Sequence, residues 1–135
     1  MAEQHFRYSV VVPVLNEHEV IGEFCAKAVE LLPPGYELLV CYDNDDDTTL
    51  PAITALPPAA RPQHIRFIQN TLGRGVRYAI DTGMRAAKAP IVLVTMADLS
   101  DDFKDVDEMV RRAEQGADVV TGSRYMRGGP SRRRL

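Results

Sequence analysis

The apolar residues of this chain switch repeatedly between two spacings, and the switching confines it to one fold class. Tyr8 to Val14 is a nearly continuous β-branched run, the pattern of a strand buried on both faces. From Glu17 to Leu32 the apolar positions Val20, Ile21, Phe24, Cys25, Ala28, Leu31 and Leu32 fall at helical spacing. Asn16 is the expected N-cap, with Glu19 three residues on as in a capping box, and Pro33-Pro34-Gly35 stops the helix. Further strands are expected over Tyr36 to Tyr42, Ile65 to Ile68, Ile91 to Thr95 and Ala117 to Thr121. A short helix is expected over Leu50 to Leu56. Another is entered through Gly73-Arg74-Gly75 and runs through Lys88, with Val76, Ala79, Ile80, Gly83, Met84 and Ala87 on one face. A last helix turns Phe103, Val106, Met109, Val110 and Ala113 inward.

Strand and helix alternating in this way predict an α/β chain, a Rossmann-like three-layer αβα sandwich with a mostly parallel central sheet and right-handed crossovers. In such sheets the ligand crevice lies beyond the carboxyl ends of the strands. Asn16-Glu17, Asp43, Asp98 and Gly122-Ser123-Arg124 each follow an expected strand directly. All four are therefore expected at the same sheet edge.

Composition narrows the function classes. The chain has 135 residues, enough for one domain, with 45% apolar and 26% charged residues, which is ordinary for a globular protein. Sixteen Lys and Arg against nineteen Asp and Glu give a net charge of −3, too mild for a general nucleic-acid binder. From Arg124 onward there are five arginines and no acid, so an acidic body precedes a basic end. An acidic body that handles phosphates needs a metal ion or locally placed arginines. Cys25 and Cys41 sit in apolar segments and read as small buried hydrophobes, not as a disulfide or zinc framework. The start lacks the pattern of a secretory signal, and no apolar run approaches membrane-spanning length, so the expectation is a cytoplasmic chain.

The loops suggest a chemistry. Carboxylate clusters on one edge repel unless a cation lies between them, and hard oxygen ligands suit Mg2+ or Mn2+. Asp45 to Asp47 read as solvated. Asp98 reads as functional, because it lies just past an apolar strand where an unpaired carboxylate is costly. Arg124 reads equally as a bidentate phosphate grip or as a partner for nearby aspartates. The Gly73-Arg74-Gly75 turn is a weak candidate phosphate cradle. His5, His18 and His64 have no ligand spacing and read as surface residues.

Pro13-Val14-Leu15-Asn16-Glu17 resembles the P-x-x-N-E opening of family 2 glycosyltransferases, and Tyr42 to Thr48 stands where that family has a D-D-G-S-x-D loop. Met96-Ala97-Asp98-Leu99-Ser100 resembles the D-A-D-L-S metal motif of the dolichyl-phosphate mannose synthase branch. Gly116 to Tyr125 is similar to that branch's G-A-D-V-V-x-G-S-R-Y. The resemblance covers about residues 8 to 129.

It implies a GT-A fold and an inverting transferase that moves a sugar from a nucleotide diphosphate sugar to an acceptor. The donor-binding residues would be Pro13, Leu15, Asn16, Glu17 and Asp43, with Pro13, Leu15 and Glu17 lining the base and ribose and Asp43 bonding the base. Asp98 would hold a divalent metal, Mg2+ or Mn2+, on the diphosphate with Ser100 near it, and Arg124 would meet phosphate. Asp98 and Arg124 are the expected catalytic residues. The acceptor is open between a polyprenyl or dolichyl phosphate and a sugar hydroxyl. A lipid-phosphate acceptor needs no strong general base and implies association with a membrane surface.

Departures from the family pattern bear on these expectations. Met96 replaces an acidic residue, and Asp101 or Asp102 stands near enough in sequence to compensate. Arg77 replaces a glycine. Residues 1–129 are expected to form the donor-binding domain, incomplete at its C-terminal end, and 130–135 a disordered basic tail. Membrane attachment would then come through sequence beyond the chain. Two alternatives remain. One is a non-catalytic nucleotide-sugar binding domain, favoured by Met96. The other is a nucleotidyltransferase, which would normally carry a glycine-rich, lysine-bearing loop after its first strand. Oligomeric state is not legible.

Overall fold

A computed structural model describes residues 5–120. Its elements are β1 (Tyr8–Pro13), α1 (Ile21–Leu31), β2 (Tyr36–Tyr42), α2 (Thr49–Thr54), β3 (Ile65–Gln69), α3 (Val76–Ala86), β4 (Val92–Val94) and α4 (Val106–Glu114). Short 3-10 turns lie at Pro58–Ala60 and Phe103–Asp105. The four strands form one sheet in the order β3-β2-β1-β4, and every pairing is parallel.

Alternation along each strand divides the core into two layers. Tyr8, Val10 and Val12 of β1 and Leu38 and Val40 of β2 face one side, packed with Phe24, Cys25 and Ala28 of α1, Ile53 of α2, and Phe103, Val106 and Val110 at the α4 end. Val11, Leu39 and Cys41 face the other side and pack with Ala79 of α3. Both faces of β1 and β2 are thus covered, which is why these strands read as nearly continuous apolar runs. Burial also lifts the thiols of Cys25 and Cys41 to about 11, as expected of inert core cysteines.

Three expectations are corrected. Helix α1 begins at Ile21, not Glu17, and Asn16 is no N-cap. It sits in the left-handed region (φ 50°), and Ile21 N–H donates to the Glu17 carbonyl through an intervening turn. Residues 117–120 of the expected fifth strand carry no strand assignment, and Thr121 lies outside the described residues. The outer positions of α3 are less buried than its spacing suggests: Val76 and Met84 are half exposed, and the buried stripe is Ala79, Thr82 and Gly83.

Candidate functional site

Parallel pairing sends the chain out of β1, β2, β3 and β4 at one edge. The Asn16-Glu17 loop leaves the central strand β1, with the Asp43 loop on one side after β2 and the Asp98 loop on the other after β4.

The first two loops are interlocked by hydrogen bonds. Asp47, only 4% exposed, accepts from Asn16 N–H at 3.2 Å on both carboxylate oxygens and from Thr49 N–H at 2.7 Å. Asn16 Oδ1 accepts in return from Thr48 N–H at 3.0 Å, and Glu17 N–H donates to Thr49 Oγ1 at 2.8 Å. His18 Nδ1 lies 2.7 Å from Thr48 Oγ1. Asp47 is therefore not solvated as expected; it satisfies backbone donors of two loops and holds Asn16 in its left-handed turn. Asp45 and Asp46 are exposed. Pro13 is buried opposite Cys41, whereas Leu15 projects outward, 63% exposed.

Asp43 is half-buried at the end of β2. Its Oδ1 accepts from Asn70 Nδ2 at 2.9 Å and its Oδ2 from Gly75 N–H at 3.3 Å. Gly75, at φ 104°, opens α3, and its amide is directed at a protein carboxylate. Asn70 was not singled out from sequence. Its signal was available, since it follows β3 as directly as Asp43 follows β2.

Asp98 lies after β4 in a loop whose next residue, Leu99, has φ 66°. Its Oδ1 accepts from Ser100 Oγ at 2.6 Å and Ser100 N–H at 3.1 Å, and these bonds hold its carboxyl below the usual carboxylate value. The expected cost of an unpaired buried carboxylate does not arise, because Asp98 is exposed. Asp101 turns back to the strand end, accepting from Thr95 Oγ1 at 2.7 Å and Met96 N–H at 3.2 Å, and Asp102 accepts from Lys104 N–H at 3.0 Å. Asp101 braces the loop where the expected acidic residue is Met96.

Among the described residues no three His, Cys, Asp or Glu side chains converge as a metal cage. An ionised, exposed Asp98 is one hard ligand, and Mg2+-like ions commonly take one or two carboxylates together with substrate phosphates and water. Arg124 lies outside the described residues.

A groove of about 970 Å³ opens elsewhere, near the strand starts at Tyr36 and Ile65, and includes Phe6, Arg61 and Phe67 in its lining. Its lining has no carboxylate and none of the residues of the Asn16, Asp43 and Asp98 loops.

The sequence is 27% identical over 124 residues to a dolichol-phosphate mannosyltransferase of Pyrococcus furiosus, covering 91% of this chain and 34% of the relative. It is 29% identical over 123 residues to an undecaprenyl-phosphate 4-deoxy-4-formamido-L-arabinose transferase of Yersinia enterocolitica, covering 88% and 37%. An uncharacterized glycosyltransferase of Mycobacterium bovis is 36% identical over 116 residues, covering 86% and 48%. The chain thus spans a third to a half of the length of these curated relatives. The sequence model described as Glycosyl transferase family 2 matches residues 9–134, and with the parallel αβα sheet of the GT-A type this places the chain in that family.

Proposed function

We propose that this chain is the donor-binding part of an inverting glycosyltransferase that moves a sugar from a nucleotide diphosphate sugar to a polyprenyl phosphate at a membrane surface. The observation that carries the reading is the shared edge at which the loops after β1, β2 and β4 emerge, with Asp43 and Asp98 on either side of the Asn16-Glu17 loop. The lipid-phosphate names of two relatives support the acceptor class.

In this reading Pro13, Leu15 and Glu17 border the base and ribose, Asn16 belongs to the same donor-binding loop, and Asp43 accepts hydrogen bonds from the donor's N–H or O–H groups. Asp98, oriented by Ser100, would hold Mg2+ or Mn2+, which would supply charge neutralisation to the leaving diphosphate. An acceptor phosphate oxygen forms a bond to the anomeric carbon as the bond to the diphosphate oxygen breaks, and the nucleoside diphosphate departs with that electron pair. Attack opposite the leaving group inverts the anomeric centre. The attacking oxygen is already anionic at neutral pH, so no side chain need remove a proton. Arg124 is assigned to phosphate in the same reading.

Met96 in place of an acidic residue favours one second reading, a binding domain without catalysis. Calorimetric titration with uridine and guanosine diphosphate sugars, with and without Mn2+, separates the two. Metal-enhanced binding supports the transferase. Binding indifferent to metal, without transfer by the longer enzyme, supports the binding domain. Absence of binding to any nucleotide diphosphate sugar removes both.

A further inference from the structure

Asn70 is 7% exposed, and both ends of its side-chain amide are hydrogen-bonded. Oδ1 accepts from Thr82 Oγ1 at 3.0 Å and from Leu72 N–H at 3.2 Å. Two donors at that oxygen fix which way round the amide sits, so Nδ2 is the atom presented to Asp43. The Asn70 backbone N–H also donates to the Tyr42 carbonyl at 2.7 Å, tying the end of β3 to the end of β2. Thr82 belongs to the buried stripe of α3, beside Gly83. Gly83 seats the helix directly on the sheet: a Cβ there would lie 2.5 Å from Val11 Cγ1 and 2.8 Å from Cys41 Sγ. The position of Thr82 is therefore set by helix–sheet packing.

Resting on the donor-site reading above, we infer that Asn70 and Thr82 are positioning residues that relay the seating of α3 to the Asp43 carboxylate. A carboxylate has roughly four lone-pair directions. Asn70 and Gly75 take one on each oxygen, and the frame they form fixes where the others point. The carboxylate is then ordered before a ligand arrives, so binding need not bear the cost of ordering it. Neither residue touches the ligand in this account; both act only through Asp43.

A double-mutant cycle read by donor calorimetry in the presence of Mn2+ tests the relay. Asn70→Ala is expected to weaken donor binding about tenfold, the size of a lost charge-assisted hydrogen bond. Thr82→Val is expected to weaken it about threefold and Thr82→Ser to restore it. In an Asp43→Ala background, Asn70→Ala should change affinity by less than about twofold. Equal losses with and without Asp43 overturn the relay while leaving the donor site standing. A parent chain that binds no donor overturns the donor site itself. If Asn70→Ala fails to fold, the Val and Ser variants at Thr82 decide the matter, and a Ser variant as weak as the Val variant overturns the relay.

Discussion

Glu37 is a carboxylate inside the apolar run of β2, 1% exposed. Burial pushes its pKa up, but Ser9 Oγ at 2.6 Å, the Lys88 N–H at 2.7 Å and the Arg66 guanidinium at 2.8 Å together hold it below the usual carboxylate value. An unfolded glutamate titrates at about 4.3. The stabilisation is thus fully present above that value and is lost as pH falls through the lower folded pKa. Glu37→Gln should cost about 2 kcal/mol at neutral pH. That is less than for a fully enclosed pair, since the Arg66 side chain is 34% exposed. Urea unfolding over a pH series checks this: the parent should lose stability on acidification more steeply than the variant, and parallel curves would refute the assignment. A charged residue at position 37 was visible in the sequence, but its partners were not, because Ser9, Arg66 and Lys88 are brought to it only by strand register and the return from α3. Asp98 shows the opposite limit. Its place after a strand was legible, whereas its exposure and its bond to Ser100 depend on the loop conformation around Leu99.

At the scale of elements, α3 and the interlocked loops frame the candidate site. Gly83→Ala should overpack the contact with Val11 and Cys41 and destabilise the chain by about 2 kcal/mol, seen as a lower Tm. Asp47→Ala leaves the Asn16 and Thr49 amides without their partner and should cost about 2 kcal/mol, with weaker donor binding as the Asn16-Glu17 loop loosens. Thermal melting and donor calorimetry on the same variant check both effects, and a stable variant with parental affinity would contradict the interlock. The strands and most helices were legible because apolar spacing records which faces are covered. The start of α1 was not. Asn16 has the chemistry of a cap, but its side chain answers to Thr48, which arrives from another loop. Asp47 was misread for the same reason, since its run of neighbouring acids says nothing of the amides it meets.

The described residues join a layered body to loops at one sheet edge. Arg7 fastens the start of β1 to α4 through Asp107 at 2.9 Å and Glu114 at 3.0 Å. On the other face, Arg66 binds the sheet to the end of α3, donating to the Ala86 carbonyl at 2.7 Å, and Glu37 binds the segment after it by accepting from Lys88 N–H. Both fastenings leave the edge beyond the strand carboxyl ends to Asp43 and Asp98. The parallel orientation of the strands was readable at this scale because it follows from strand–helix alternation, whereas the strand order and the bonds that set each carboxylate depend on residues far apart in sequence. The most direct measurement is calorimetric titration of the parent and of Asp98→Ala with nucleotide diphosphate sugars, with and without Mn2+. The account predicts metal-enhanced binding by the parent and a loss of roughly tenfold or more in the variant, whose melting curve stays parental. Equal, metal-indifferent binding by both proteins would contradict it.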